Sequence, residues 1–236
     1  MRSSRRRLAL TAVGVAAALA LVLVGVAALL IRSHTAPAPL SLTSPTAAST
    51  PGGVEGTWKV SSGSQAGYRA REKFINQPEP TEAVARTGHV TGGLVITRSG
   101  SSLRITGIQF TVDLSTLQSQ DKYAMYQAYQ RDFFVKTIYL NSDTMPNADF
   151  KGDPVTVPAN IGSGPVTLSV TGKLTLHGLT KQVTSYVQVQ MNGSHIEAVG
   201  STSVDMRDFG IEVPVIGFTT AEPIVTIEYH LLLAHA

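Results

Sequence analysis

The stretch KLTLHGLTKQV, residues 173–183, alternates apolar and polar residues, breaks at a His-Gly pair and then alternates again. A repeat of two places alternate side chains on opposite faces of a β-strand. Glycine readily takes the positive φ angle of a tight turn, so the stretch predicts a β-hairpin with Gly178 in its turn. We expect His177 to be a solvent-facing residue at the edge of that hairpin, and a catalytic role for it is the weaker alternative.

The same repeat extends along most of the chain. Runs of alternating residues, separated by Gly, Pro, Asn and Ser, predict strands near residues 57–61, 66–74, 83–97, 102–113, 146–151, 165–176, 182–191, 194–205 and 223–232. The apolar positions change parity across Gly107, which predicts a β-bulge that bends its strand. Eight or nine antiparallel strands in one chain indicate a barrel or a sandwich.

Residues 119–140 interrupt this pattern. They contain good helix formers and aromatic residues at helical spacing, which predict one helix or two short ones. Two interpretations stay open for this insertion. It is either a lid that packs on the barrel end or a gate that lines the mouth of a ligand site.

The N-terminal part of the chain has a different composition. Residues 8–31 form an apolar run with one weakly polar residue, Thr11, and are long enough to cross a bilayer as a helix. Five arginines flank the run, four of them before it, which places residues 1–7 in the cytoplasm and everything downstream outside. We predict a retained single-pass anchor in the cell membrane, with cleavage near Ala36 or Ala38 as the alternative. Residues 32–53, rich in Pro, Ser, Thr and Ala, predict a disordered stalk, and residues 54–236 form the folded domain.

Charge and composition exclude several function classes. Of the 19 Lys and Arg residues, 14 lie from Val54 onward against all 16 Asp and Glu, so the folded region carries a formal charge of −2 and no basic stripe for nucleic acid. The absence of Cys excludes disulfides, thiolate nucleophiles and Cys-ligated metals. The sequence also lacks the common motifs of hydrolases, nucleotide-binding proteins and zinc proteases, and its six histidines are scattered.

Four stretches occur in an order that is typical of one family. They are RTGHVTGGLVI (86–96), QRDFFVKTIYLNSDTMPNADF (130–150), VTGKLTLHGLTKQV (170–183) and MRDFGI (206–211). Together they resemble the YceI-like family of bacterial lipid-binding proteins, over residues 54–233. Phe134, Val135 and Met145 depart from the residues that many members carry at these positions, which makes the expected ligand mouth more apolar.

The resemblance implies an all-β fold, an extended antiparallel lipocalin-like barrel with a short helical insertion. It also implies a hydrophobic tunnel for a long amphiphile, namely a polyisoprenoid, an isoprenoid quinone or a fatty acyl compound, without enzymatic activity, metal or further cofactor. From the apolar parity we expect the tunnel to be lined by Phe110, Phe150, Val166, Leu168, Val170, Leu174 and Leu176. From the connections we expect its mouth to be gated by Phe133, Phe134, Tyr139, Phe209 and Phe218. The signature residues expected to fix turns and helix ends are Arg131, Asp132, His177, Gly178, Arg207 and Asp208.

Three functional hypotheses follow in order of preference. The first is a membrane-anchored, extracytoplasmic binder or carrier of a long-chain isoprenoid or acyl lipid. The second is a structural or interaction module of the cell envelope, with a barrel that side chains fill and no ligand. The third is an enzyme acting on an isoprenoid-linked substrate. A barrel of eight strands is compatible with either a filled interior or a single slender ligand, so the sequence alone does not decide between the first two.

Overall fold

The computed structural model describes residues 36–44, 53–75, 79–122, 128–158, 164–192, 194–217 and 219–236. Within them the chain forms one antiparallel sheet of short and long strands. The strands are β1 Gly56–Val60, β2 Gln65–Phe74, β3 Thr81–Thr87, β4 Val90–Ser99, β5 Ser102–Asp113, β6 Gln118–Ser119, β7 Asn147–Gly152, β8 Val155–Pro158, β9 Val166–Leu176, β10 Leu179–Asn192, β11 His195–Asp205, β12 Val215–Ile216 and β13 Thr219–His235. The helix α1 spans Ala128–Phe134 and continues as a π-helical turn, Val135–Tyr139, while 3-10 turns lie at Leu114–Thr116 and Met206–Phe209.

Eight strands close the barrel. They follow the order β1, β4, β5, β7, β9, β10, β11 and β13, and β13 pairs back to β1. Strands β2, β3 and β6 lengthen the wall. Strand β2 pairs with residues 219–230 of β13, next to the residues 233–235 that pair with β1, and β3 and then β6 continue the sheet from β2. The predicted all-β, lipocalin-like barrel with one short helix is therefore confirmed.

Alternation along the strands decides which side chains enter the barrel. In β10, Val183, Ser185, Val187 and Val189 point inward, whereas Tyr186 is exposed on the outer face. Two clusters of buried apolar side chains form the interior. One surrounds Trp58, Leu103 and Leu233, and the other surrounds Leu174, Met206 and Phe209.

The bulge predicted at Gly107 is present. Between Gly93 and Val95 of β4 the paired residues on β5 change from Gln109 to Thr106, so β5 contains one extra residue. Gly107 takes a φ angle of 61°, a left-handed conformation that favours glycine. The extra residue bends β5, as closure of a barrel requires.

The predicted hairpin turn joins β9 to β10. Both His177 (φ 51°) and Gly178 (φ 76°) are left-handed, as the central residues of a type I′ turn are. The expectation that His177 faces solvent is only partly right, because this residue is half-buried and its ring Nδ1 lies 3.2 Å from the carbonyl oxygen of Phe209. The turn therefore packs against the 3-10 turn Met206–Phe209.

Some elements differ from the prediction. The strand expected at 83–97 is divided into β3 and β4 by Gly88 and His89, and the short strands β6, β8 and β12 were not predicted, because two to four residues are too few to show a repeat. The helical prediction for 119–140 is right for 128–139, whereas Ser119 belongs to β6 and residues 123–127 lie outside the described ranges.

Residues 36–44, here named the strap, lie within the segment that composition predicted to be a disordered stalk. They instead follow the outer face of the barrel. Arg69 Nη2 donates to the carbonyl oxygen of Pro37 (2.5 Å) and Arg86 Nη2 to that of Ala38 (2.8 Å), and Thr43 is held by Glu197. The strap therefore differs from the predicted stalk in being bound to the barrel, because charged groups on the barrel satisfy its backbone. Residues 32–35 and 45–52 lie outside the described ranges.

In the part of the chain that the structure describes, the helices are too short to cross a membrane. The predicted anchor, residues 8–31, and the cytoplasmic segment, residues 1–7, fall outside that part and stay predictions.

Candidate ligand-binding cavity

The barrel encloses a cavity of about 270 Å³. A single buried water needs only ~10 to 15 Å³ on the same measure, so the space is far larger than a packing defect. Its walls are almost wholly apolar. The side chains that line it on the walls opposite and beside β9 include Leu94, Ile96, Ile105, Val112, Val155, Val187, Val189, Ala198, Val225, Ile227, Leu231 and Leu233.

The structure brings together most of the residues that the sequence predicted for the tunnel. Those that line the cavity are Phe110, Phe150, Leu168, Val170, Leu174 and Leu176. Val166 does not line the cavity; it packs against the buried cluster that surrounds Trp58, Leu103 and Leu233. The residues that the prediction missed lie mainly on β2, β4, β5, β8, β10, β11 and β13. Most of these residues also occupy the apolar positions of alternating strands, which is the pattern used for β9. The sequence does not say, however, which strands face β9 across the barrel.

The predicted gate residues separate into different environments. Tyr139 lines one end of the cavity, and its hydroxyl lies 3.1 Å from the backbone nitrogen of Val215 and 3.3 Å from the oxygen of that residue. Phe133 and Phe134 are exposed and pack edge to face on each other, and Phe209 is buried in the core. Phe218 lies outside the described residues. These hydrogen bonds between Tyr139 and Val215 therefore join the π-helical turn to the start of β12 at this end of the cavity.

The π-helical turn explains how Tyr139 reaches that position. Val135 and Tyr139 both line the cavity, together with Leu140 just beyond the turn. A π-helical turn widens the helix by one residue and is often found at functional sites. The turn directs these side chains inward over the same end of the barrel that Ile211 and Pro214 line from the loop before β12.

A charged cluster lies beside this end of the cavity. Arg131 of α1 is 2% exposed, and its Nη1 donates to Oδ2 of Asp121 at 2.8 Å while Nη2 pairs with Oδ1 of the same carboxylate. Nη2 also lies 2.5 Å from Oγ of Ser119, and Nη1 lies 3.6 Å from Oε2 of Glu72. Burial disfavours the charge on both partners, but hydrogen bonding between them raises the pKa of Arg131 and lowers that of Asp121.

The remaining signature residues lie in turns. Asp132 accepts hydrogen bonds from the backbone nitrogen of Ser119 at 3.0 and 3.1 Å, which ties α1 to β6. Arg207 and Asp208 are exposed in the 3-10 turn after β11, where Asp205 accepts from both the backbone nitrogen and the guanidinium of Arg207. These contacts fix element ends and do not reach the cavity.

Two further polar side chains lie in the middle of the cavity wall. Oγ of Ser185 lies 2.7 Å from the hydroxyl of Tyr229 and donates to the carbonyl oxygen of Ser201 at 3.0 Å. Burial, opposed by the bond from Ser185, raises the pKa of Tyr229 to about 12. Both hydroxyls are therefore neutral and already paired.

Among the residues that the structure describes, no group of three His, Asp or Glu side chains has the spacing of a metal site. The polar side chains that line the cavity are those of Tyr68, Glu72, Ser185, Thr202 and Tyr229.

Comparison with known proteins identifies the family. The model of the YceI-like domain matches residues 58–233. This chain belongs to the YceI-like family. The match begins within β1 and ends within β13, so it covers the closed barrel and leaves the strap outside.

One solved structure has a similar fold, and a second is less similar. A polyisoprenoid binding domain from Saccharophagus degradans, implicated in plant cell wall breakdown, is 12% identical, with 77% of this chain and 99% of the other covered and a TM-score of 0.51. BcnA of Burkholderia cenocepacia is 18% identical, with 70% and 95% covered and a TM-score of 0.46. A comparison with curated proteins gives no match.

Proposed function

We propose that this YceI-like protein binds one long-chain lipid, isoprenoid or acyl, with the chain inside the barrel. The observation that carries the proposal is the apolar cavity of about 270 Å³ within the closed wall. Each methylene that leaves water for such a space gains ~0.8 kcal/mol, so a chain of ten or more carbons is held without strong polar contacts. The Saccharophagus degradans domain, whose fold is similar, is a polyisoprenoid binder, which supports the same ligand class.

The second part of the proposal concerns where the protein lies in the cell. The apolar run at residues 8–31 and the arginines before it support an anchor in the cell membrane with the barrel on the outer side. There the protein carries or stores a membrane lipid and does not transform it. The competing hypothesis of a filled envelope module requires side chains where the cavity lies.

A substitution inside the cavity tests the proposal. Leu168→Trp adds bulk to the cavity wall, so we expect the purified full chain to retain several-fold less radiolabelled geranylgeraniol while the unfolding midpoint changes little. The matched control is Tyr186→Trp, because Tyr186 lies next to the partner of Leu168 on β10 but is 69% exposed on the outer face. Equal retention by both variants, or no retention by the wild type, would contradict the proposal. In a packed barrel Leu168→Trp would instead cost ~1 to 3 kcal/mol of stability through strain.

A further inference from the structure

Exposed large apolar side chains are concentrated at one end of the barrel, where Tyr139 is bonded to Val215. Nine such side chains are exposed among the described residues, and two of them, Tyr186 and Ile224, lie on the outer wall of the strands. The other seven lie on the helical segment 128–139, in β12, or at the ends of β2 and β10. Single exposed apolar residues are normal on a protein surface, but a cluster of them marks an interaction site.

The strand pairing brings these elements to the same end. Ile75 directly follows β2, whose last residue pairs with the first residue of β13, and that residue of β13 also pairs with β12. Val215 of β12 is bonded to Tyr139 of the π-helical turn. Leu179 begins β10 next to the hairpin turn that packs on Met206–Phe209. The exposed side chains of these elements therefore belong to one surface.

The helical segment 128–139 is apolar on both sides. Val135 and Tyr139 line the cavity, whereas four other apolar side chains of the segment are exposed. These four are Tyr129, Phe133, Phe134 and Ile138. A surface helix normally keeps its outer face polar, so this face has the composition of one that a partner covers. Because the same segment lines the cavity, that partner would lie directly against the cavity end.

The charged side chains of the segment indicate which partner fits. Arg131 is buried against Asp121, and Asp132 is bonded to the backbone of Ser119. Lys136 is the remaining charged residue of the segment, and it makes no ion pair with any residue that the structure describes. Helices that lie in a membrane interface combine Lys or Arg with Trp, Phe or Leu. The outer face of the segment therefore has the composition of an interfacial helix, which fits a lipid bilayer.

The path of the chain supports the same partner. The strap begins beside Arg69, five residues before the end of β2 that belongs to this surface, and it ends at Thr43 beside Asn192, the last residue of β10. In the sequence, four residues separate the strap from the apolar run 8–31 that we propose as the anchor. Four residues reach at most ~14 Å when extended, so a retained anchor keeps the barrel close to the bilayer surface.

We propose that this end of the barrel docks on a lipid bilayer, with Phe133, Phe134 and Ile138 inserted at the level of the head groups and the first part of the acyl chains. Interfacial helices bury their apolar face ~5 to 10 Å deep at this boundary. Docking places the cavity end against the membrane, so a lipid chain passes between the two without exposing its apolar surface to water. The inference builds on the proposed function, but contact with the bilayer and occupancy of the cavity are measured separately.

Spin labelling tests the contact with the bilayer. Because the natural chain lacks Cys, one nitroxide label can be attached at a single chosen site of the full chain. Phe133→Cys and Ile138→Cys place the label on the proposed docking surface, where each natural side chain is 59% exposed. Tyr186→Cys is the matched control, because Tyr186 is also an exposed apolar side chain but lies on the outer wall. All three variants keep the apolar run 8–31, so an anchor affects them equally.

The labelled chains are reconstituted in phosphatidylcholine vesicles, and electron paramagnetic resonance measures how accessible each label is to two reagents. Oxygen concentrates in the bilayer, whereas a nickel chelate stays in water. The ratio of oxygen to nickel accessibility should be several-fold higher for Phe133→Cys and Ile138→Cys than for Tyr186→Cys. Equal ratios in the three variants would overturn the docking surface and leave lipid binding in the cavity intact. Low access to both reagents, with dipolar broadening between labels on two copies, would overturn bilayer docking and assign the surface to self-association.

The rate of lipid exchange tests what the docking does. A variant with both Phe133→Ser and Ile138→Ser should transfer radiolabelled geranylgeraniol to acceptor vesicles several-fold more slowly than the wild type. The amount bound per chain at equilibrium should be unchanged, because neither side chain lines the cavity. Tyr186→Ser is the control and should transfer lipid at the wild-type rate. An unchanged rate in the double variant would overturn the docking surface as the route of the lipid, whereas a wild type that retains no geranylgeraniol would contradict the proposed function instead.

Discussion

Arg131 and Arg207 have similar sequence contexts, since each directly precedes an aspartate and an aromatic residue follows, but they lie in opposite environments. Arg131 is buried and binds Asp121, whereas the side chain of Arg207 is 62% exposed and binds Asp205. The sequence predicted that both fix local structure. It did not predict that the partner of Arg131 is a carboxylate ten residues earlier, because that contact depends on how α1 packs against β6.

We expect the two arginines to differ in their effect on stability. Arg131→Ala leaves the carboxylate of Asp121 buried without its cation, and breaking such a pair costs about 3 to 5 kcal/mol. Arg207→Ala removes a solvent-screened pair and should change little. Urea unfolding of the full chain measures both. Similar unfolding midpoints for the two variants would contradict the environments described.

At the scale of elements, the strap differs most from what composition predicted, because it is bound to the barrel. Its residues have few apolar side chains to bury, which is the usual reason to predict disorder. Its partners are charged residues at outward-facing positions of β2, β11 and β13. In the sequence these positions look like an ordinary solvent-exposed face of a sheet. Arg69, Glu197 and Glu228 are nevertheless at most 7% exposed. The pattern predicted which side chains point outward but not that a segment covers them.

Thr43 should be the strongest point of attachment for the strap. Its hydroxyl donates to Oε2 of Glu197 at 3.0 Å and accepts from Nδ2 of Asn192 at 2.7 Å. Thr43→Val removes both bonds at nearly constant size, so hydrogen exchange at the amides of Leu40 and Thr43 should become faster. Ser41→Ala is the control, because Ser41 is exposed and has no hydrogen bond among the described residues. Equally slow exchange in both variants would mean that the hydroxyl does not hold the strap.

The attachment of the strap should also depend on pH. Burial would raise the pKa of Glu197, but hydrogen bonds from Gln190, Thr43 and Asn192 together lower it to about 2 from an ordinary value of 4.5. A lowered pKa in the folded state means that the stabilisation is complete above pH 4.5 and is lost as the pH falls toward 2. Thr43→Val should raise this pKa and release the strap at a higher pH. Titration of the Glu197 carboxyl followed by NMR would show the shift. Identical titration midpoints in the wild type and in Thr43→Val would contradict this prediction.

At the scale of the molecule, the alternation of side chains predicted an apolar interior, and the family motifs predicted a closed barrel. Whether that interior is filled or hollow could not be predicted, because it depends on how the summed volume of inward side chains compares with the radius of the ring. Here aromatic residues are few on the inward positions, and the strands β2, β3 and β6 lengthen the wall beyond the closed ring. The result is a cavity of about 270 Å³.

The central claim is that a lipid chain occupies this cavity, and the direct measurement is mass spectrometry of an organic extract of the purified full chain. We predict about one long-chain isoprenoid or acyl lipid per chain for the wild type. The Leu168→Trp variant, purified in the same way, gives the background of lipid that adheres elsewhere and should carry clearly less. A wild-type protein with no more lipid than this variant, at equal stability, would contradict the account.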